Sequence, residues 1–221
     1  MKKIIIFGII IAVALLWFFI DRRSDIQEQL NKYKEEIRQQ EERAKGNGQG
    51  TRDTTMNRRN DANPLVIFKT NKGDFSVELF VDRMPITAGN FLKLAKEDFY
   101  DGVKFHRVIP DFMIQGGDPN SKGDNMATYG TGGPGYTIKD EFVPGNANIR
   151  GTISMANSGP DTGGSQFFVN VVDNAGLNDK HPVFGEVVDG MGVVDAISKV
   201  QTGSRDVPVE PVVIKDIEVK E

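Results

Sequence analysis

The chain has 221 residues, 31 Asp/Glu against 27 Lys/Arg for a formal charge of −4, 38% hydrophobic residues and no cysteine. That length holds one or two domains, and the missing cysteine excludes disulfides, thiol catalysis and zinc–thiolate sites, while only two histidines argue against a histidine-rich metal centre. Residues 1–63 carry 12 basic and 9 acidic groups and residues 64–221 carry 15 and 22; so acidic a folded part repels phosphate, which speaks against nucleic-acid binding.

The first element is apolar. Lys2 and Lys3 precede an unbroken run from Ile4 to Ile20, with Trp17, Phe18 and Phe19 at its far end. At helical rise this run spans about 25 Å, enough for a bilayer core with some thinning. Residues 1–20 are therefore expected to be an uncleaved transmembrane anchor that ties the chain to a membrane through residues 4–20. The alternative is a cleaved signal peptide, but the Ala12-Val13-Ala14 triplet lies inside the apolar run with no polar region before it. Residues 21–45 are dense in charge, and Ile26, Leu30, Tyr33 and Ile37 are spaced 4, 3 and 4 apart. Fewer than three heptads is too little for a coiled coil, so a solvated juxtamembrane helix is predicted. Residues 46–63 have almost no apolar content and read as a flexible linker. The Lys2-Lys3 start is that of an export signal and would place the following domain outside the cytoplasm, periplasmic or extracellular. The basic residues Arg22, Arg23, Lys32, Lys34 and Arg38 just after the run oppose that orientation. Export is the expectation carried forward.

The folded domain is expected over 64–221. Leu65–Thr70 and Phe75–Phe80 flank Asn71-Lys72-Gly73-Asp74, a hairpin signal. Pro85 suits a first helical turn, and Phe91, Leu92, Leu94 and Ala95 share one face of a helix ending near Phe99. Then comes Phe105-His106-Arg107-Val108-Ile109-Pro110-Asp111-Phe112-Met113-Ile114-Gln115-Gly116-Gly117, two short strands broken by Pro-Asp. A corner there would bring a cation, an aromatic face and an amide (Arg107, Phe112, Gln115) around one hollow. The stretch 116–150 is a long Gly- and Asp-rich loop. Its Gly130-Thr131-Gly132-Gly133-Pro134-Gly135 does not read as a phosphate cradle, since no Lys-Ser/Thr follows and Pro134 and Tyr136-Thr137-Ile138 disfavour a helix. Loops this long usually line a functional face. Further strands are predicted over Thr152–Ala156, Gln166–Val172, Val183–Val188 and Val212–Val219, and a second helix over Met191–Val200. Eight short strands and two helices suggest a mainly β fold, a closed eight-stranded antiparallel barrel capped by two α-helices.

Four segments then stand together in order: Phe105-His106-Arg107 with Phe112 to Gly117; Ser154-Met155-Ala156-Asn157; Gly164-Ser165-Gln166-Phe167-Phe168; and Leu177-Asn178-Asp179-Lys180-His181-Pro182-Val183-Phe184-Gly185. Over residues 64–221 the chain resembles the cyclophilin family of peptidyl-prolyl cis/trans isomerases. The resemblance implies an eight-stranded barrel with two helices and an enzyme that rotates X–Pro bonds of protein clients and assists their folding, with no cofactor or metal and with a monomeric barrel domain. It puts the catalytic arginine at Arg107, with Phe112 and Gln115 beside it. It puts the proline pocket at Phe112, Met113, Phe168 and Leu177 with His181 at the rim, Gln166 beside the arginine, and Ala156 and Asn157 where backbone holds the substrate chain. His106 matches a residue expected to be structural. One departure is Gly176, which stands where the family often has a tryptophan. The resemblance implies binding of cyclosporin-type cyclic peptides, weakened by this open rim. A second reading from another class is a non-catalytic proline-peptide-binding or chaperone module tethered to the membrane, against which the retained Arg107 counts.

Overall fold

The computed structural model describes residues 63–220. The expected anchor, the charged helix and residues 46–62 of the expected linker lie outside them. Among the described residues no helix is long and apolar enough to cross a membrane. Asn63, the last residue of the expected linker, already bonds to the domain: its amide donates to Glu78 at 3.2 Å and its Oδ1 accepts from the Asp82 backbone N–H at 3.2 Å.

Eight strands form one antiparallel sheet: β1 Leu65–Thr70, β2 Gly73–Leu79, β3 Arg107–Ile109, β4 Met113–Gly116, β5 Thr152–Met155, β6 Phe167–Asn170, β7 Val183–Asp189 and β8 Ile214–Lys220. Their order is β3-β4-β6-β5-β7-β2-β1-β8. The predicted hairpin is the β1–β2 pair, with Thr70 opposite Gly73. Strand period 2 sends Val66 and Phe68 of β1 and Phe75, Val77 and Leu79 of β2 inward. Two helices, α1 Thr87–Lys96 and α2 Met191–Ser198, pack on the sheet. The first helix starts two residues after Pro85 and ends before the predicted Phe99. Its start is capped from a distance: the Glu141 carboxylate accepts from the backbone N–H groups of Ile86 (3.1 Å) and Thr87 (3.0 Å). An anion there meets orphan donors and the positive end of the helix dipole.

Full closure of the barrel, expected from the strand count, is not made by strand pairing. The sheet ends at β3 on one side and β8 on the other. Between them runs one irregular bridge, Lys104 opposite Val213, flanked by backbone bonds from Phe105 to Val212 (2.9 Å) and from Ile214 to Val103 (2.8 Å). The chain before β8 carries Pro208 and Pro211, which have no N–H to extend the ladder.

The core is aromatic. Phe68 stacks on Phe75 at 4.5 Å, and Phe167 meets Phe68, Phe91, Tyr100 and Phe105 edge-on at 5.5 to 6.1 Å. Edge-to-face contacts suit the ring quadrupole. All these rings are at most 1% exposed. The core lies directly behind the β3–β4–β6 end of the sheet and braces it.

Candidate active site

Strand alternation explains how one segment serves both core and site. On β3 and β4, Val108 and Ile114 enter the core, while Arg107, Met113 and Gln115 line a cleft on the other face. On β6, Phe167 belongs to the aromatic core and its neighbour Phe168 lines the cleft. The register then sets a row across the sheet: Arg107 opposite Gln115, Gln115 opposite Phe168, and Phe168 opposite Ser154. Between β3 and β4 the chain turns at Pro110-Asp111, with Asp111 left-handed at φ 55°. Phe112 falls in this turn rather than in the strand predicted for it. Its carbonyl accepts from Val171 N–H (3.1 Å) and from the Asn174 side chain (2.9 Å), which holds its ring at the cleft wall. After β4, Gly117 has φ 85°, and a Cβ there would stand 2.3 Å from the Ser165 carbonyl oxygen, so no larger residue fits.

The cleft has a volume of about 430 Å³ and is lined by Arg107, Phe112, Met113, Gln115, Ala156, Asn157, Phe168, Leu177 and His181. These are nine of the ten residues singled out from the sequence. The tenth, Gln166, lies outside this cleft, in an adjoining hollow of about 740 Å³ that shares Gln115, Ala156 and Asn157 and is walled by the Gly-rich segment 130–137. Gln166 still reaches the site, because it accepts from the Gln115 amide at 3.1 Å and donates to the Gly132 carbonyl at 2.8 Å. Both glutamines are thereby oriented.

Met113 and Phe168 are 2% and 5% exposed, so the floor is dry and apolar. The His181 ring stands edge-on to Phe168 at 5.4 Å, and its Nδ1 faces the Met155 carbonyl at 3.2 Å. That contact requires the proton on Nδ1, since a carbonyl only accepts. Asn157 is held through its side chain, which donates to the Lys180 carbonyl at 2.7 Å. Among the described residues its own N–H and C=O make no bond to another main chain. The Arg107 side chain is 44% exposed and donates through Nε to Asp206 Oδ2 at 3.4 Å; among the described residues its terminal amino groups have no partner. The geometry offers an apolar slot for a small ring, a cation at one lip and free backbone groups at the other. His106 does not face the cleft. It is 4% exposed, neither ring nitrogen has a partner among the described residues, and burial holds its pKa below the usual imidazole value. That agrees with a structural role.

Sequence reasoning missed the buried polar frame behind the cleft. Asn148 Oδ1 accepts from Ser154 (2.7 Å) and Asn170 (3.2 Å), its Nδ2 donates to the His181 carbonyl (3.1 Å), and Asn174 donates to Asn170 Oδ1 (2.7 Å). Asn148 and Asn174 read locally as turn residues, and Asn170 as a polar residue within a strand. Asp206 was missed as well, and nothing in its neighbourhood in the chain points to Arg107.

Comparison with known proteins places this arrangement. Residues 65–219 match the family model described as cyclophilin type peptidyl-prolyl cis-trans isomerase. A peptidyl-prolyl cis-trans isomerase of Acinetobacter baylyi is 45% identical over 169 residues, covering 72% of this chain and 87% of that protein. A peptidyl-prolyl cis-trans isomerase-like 1 protein of Rhizopus delemar is 46% identical over 142 residues, 64% of this chain and 84% of that one. A longer Streptococcus pyogenes protein, whose name joins a phosphatase to a peptidyl-prolyl cis-trans isomerase, is 42% identical over 190 residues, and this chain spans 39% of its length. Among solved structures, a Cryptosporidium parvum cyclophilin type isomerase superposes with TM-score 0.66 at 33% identity, covering 72% of this chain and 98% of that one. The same parasite protein in the presence of the dipeptide Ala-Pro gives TM-score 0.65.

Proposed function

Because this chain belongs to the cyclophilin-type peptidyl-prolyl cis-trans isomerases and so is an isomerase of X–Pro bonds, we propose that turnover takes place in the cleft between Arg107 and His181. Phe112, Met113, Phe168 and Leu177 grip the pyrrolidine ring. The Asn157 backbone, with Ala156, holds the residues before it. One side of the amide can then turn against the other. No bond breaks, so the chemistry needs no nucleophile, metal or proton relay. The barrier of about 18–20 kcal/mol comes from the double-bond character of the amide. In the twisted state the proline nitrogen becomes pyramidal and basic, and a terminal Arg107 N–H can donate to it. Such a bond accelerates the reaction only insofar as it is stronger there than in the planar amide. Bringing an exchange of tens of seconds to milliseconds requires about four decades, or roughly 5.5 kcal/mol. A charge-assisted hydrogen bond beside a dry pocket supplies a share of that.

The observation that carries this reading is the row Arg107–Gln115–Phe168 across the sheet, which sets cation, amide and apolar floor side by side. The related parasite structure in the presence of Ala-Pro supports a proline dipeptide as the minimal substrate, and proline-containing segments of protein clients are the natural one. The test is Arg107→Ala. Because Arg107 is half exposed, its loss should leave the melting temperature nearly unchanged while most of the isomerase kcat/KM on a proline peptide disappears. Near-normal kcat/KM in a folded variant would refute the role.

Two further parts of the reading rest on sequence. The run Ile4–Ile20 supports a single-pass tether, with the isomerase domain outside the cytoplasm, near polypeptides emerging there unfolded. Gly176 supports weak binding of cyclosporin-type cyclic peptides. It is exposed in the turn Ala175–Leu177, next in the chain to the cleft residue Leu177.

A further inference from the structure

Arg107 does not stand alone at the cleft lip. Its Nε donates to Asp206 Oδ2 at 3.4 Å, across 99 residues of chain. Asp206 ends the short turn Ser204–Asp206 before β8, where Arg205 (φ 63°) and Asp206 (φ 59°) are consecutive left-handed residues and neither is glycine. Aspartate enters that region readily, but an arginine adopts it only when its surroundings enforce it. Here they do. The Arg205 guanidinium donates to the carbonyls of Met126 (2.9 Å), Ala127 (3.4 Å) and Tyr129 (2.8 Å). Gly203 N–H bonds Val207 O at 2.8 Å and Val209 N–H bonds Gln201 O at 2.9 Å, which close the base of the turn. Arg107, Gln115, Arg205 and Asp206 share one recess of about 330 Å³ beside the proline cleft.

The strained turn needs a reason, and stability is a poor one. The Arg107 and Asp206 side chains are 44% and 47% exposed, and ion pairs that open to water contribute little to folding. Geometry is the better account. A guanidinium is planar, with five N–H donors in a fixed fork, so capturing the Nε–H at one edge sets the plane and the direction of the terminal amino groups. Those groups have no partner among the described residues.

We infer that Asp206, carried on the turn that Arg205 pins, is a positioning residue for Arg107. It takes the Nε–H and leaves the terminal N–H groups aimed at the proline nitrogen. This rests on the catalytic reading of Arg107. The carboxylate also offsets part of the guanidinium charge, so the inference requires that orientation outweigh charge.

The test uses the full chain and four variants: Asp206→Ala, Asp206→Asn, Arg107→Ala and the double variant Arg107→Ala/Asp206→Ala, with kcat and KM measured separately on a proline peptide. Asp206→Ala is expected to lower kcat about 2- to 5-fold, the range of a half-exposed charged pair, with KM nearly unchanged. Asp206→Asn, which keeps an acceptor oxygen, is expected to recover most of that loss. In the Arg107→Ala background the Asp206→Ala change is expected to do nothing, because a positioning residue acts only through what it positions. An NMR signal from the Arg107 Nε–H that moves in Asp206→Ala provides a reading independent of turnover. Wild-type kcat in Asp206→Ala, a loss confined to KM, or an equal loss in both backgrounds overturns the inference; the last would show that the turn acts through the fold. Loss in Arg107→Ala beside a neutral Asp206→Ala overturns this inference alone. A fully active Arg107→Ala overturns the proposed function and takes this inference with it.

Discussion

Gly176→Trp is expected to tighten binding of a cyclosporin-type cyclic peptide far more than it changes catalysis. A Cβ built on Gly176 meets no heavy atom within 4 Å, so a side chain added there starts into open space. The turn that carries it is firm: Leu177 N–H bonds Asn174 O at 2.9 Å and His181 N–H bonds Leu177 O at 3.1 Å. The new ring would stand next in the chain to Leu177, a residue of the cleft wall. If it covers some 60–100 Å² of a bound cyclic peptide, the gain is roughly 1.5–2.5 kcal/mol. That is about one to two decades in Kd. The indole N–H adds a donor that glycine lacks. On the proposed binding mode a short proline peptide sits on Phe112, Met113 and Phe168, so its kcat/KM should change by less than about threefold, within 0.7 kcal/mol. Titration calorimetry of the native chain and the variant reads both affinities. The native folded domain has no tryptophan, since the single Trp17 lies in the apolar run, so the variant also gains a fluorescent reporter at the rim. If the native chain already binds the cyclic peptide as tightly as the variant, or the folded variant gains nothing, the open-rim argument is wrong.

Stability should fall on acidification because of His106. Burial lowers its pKa in the folded state, so below about pH 6.5, the ordinary imidazole value, the unfolded chain binds the proton more readily than the folded one. The contribution is present in full above that pH and is lost as the pH drops toward the lowered folded value. Melting temperatures measured from pH 8 to pH 5 should decline less steeply in His106→Gln than in the native chain, and parallel curves would refute the assignment. Residues 63–221 expressed alone should be monomeric and melt cooperatively, because Asn63 already bonds Glu78 and Asp82; a broad, non-cooperative melt would count against that boundary. The full chain should resist extraction by carbonate and high salt, and release by either would exclude the tether. Protease added to intact cells should cut within 46–62 if the domain faces outward, and protection of that segment would reverse the orientation.

Local rules in the chain reach a long way here. Alternation in Phe75-Ser76-Val77-Glu78-Leu79, the Pro110-Asp111 break and the Gly-rich run were legible because period 2 and turn chemistry act within a few residues. They also told which residues could leave the core: once Val108, Ile114 and Phe167 point inward, Arg107, Gln115 and Phe168 must point the other way. That is why Arg107, Met113, Gln115 and Phe168 line one cleft; the other five lining residues are brought there by turns and loops. What stayed hidden acts across the sheet. Glu141 caps a helix 54 residues before it, Asn148 props the site from within a loop, and Gln166 serves the neighbouring hollow. The open seam between β3 and β8 and the meeting of Arg107 with Asp206 depend on the same strand order. Such partners are chosen by how β3-β4-β6-β5-β7-β2-β1-β8 bends round and by which loops then fall beside each other. No short-range preference in a sequence contains that information, because an aspartate in a turn has the same local chemistry whether it faces water or the Arg107 guanidinium.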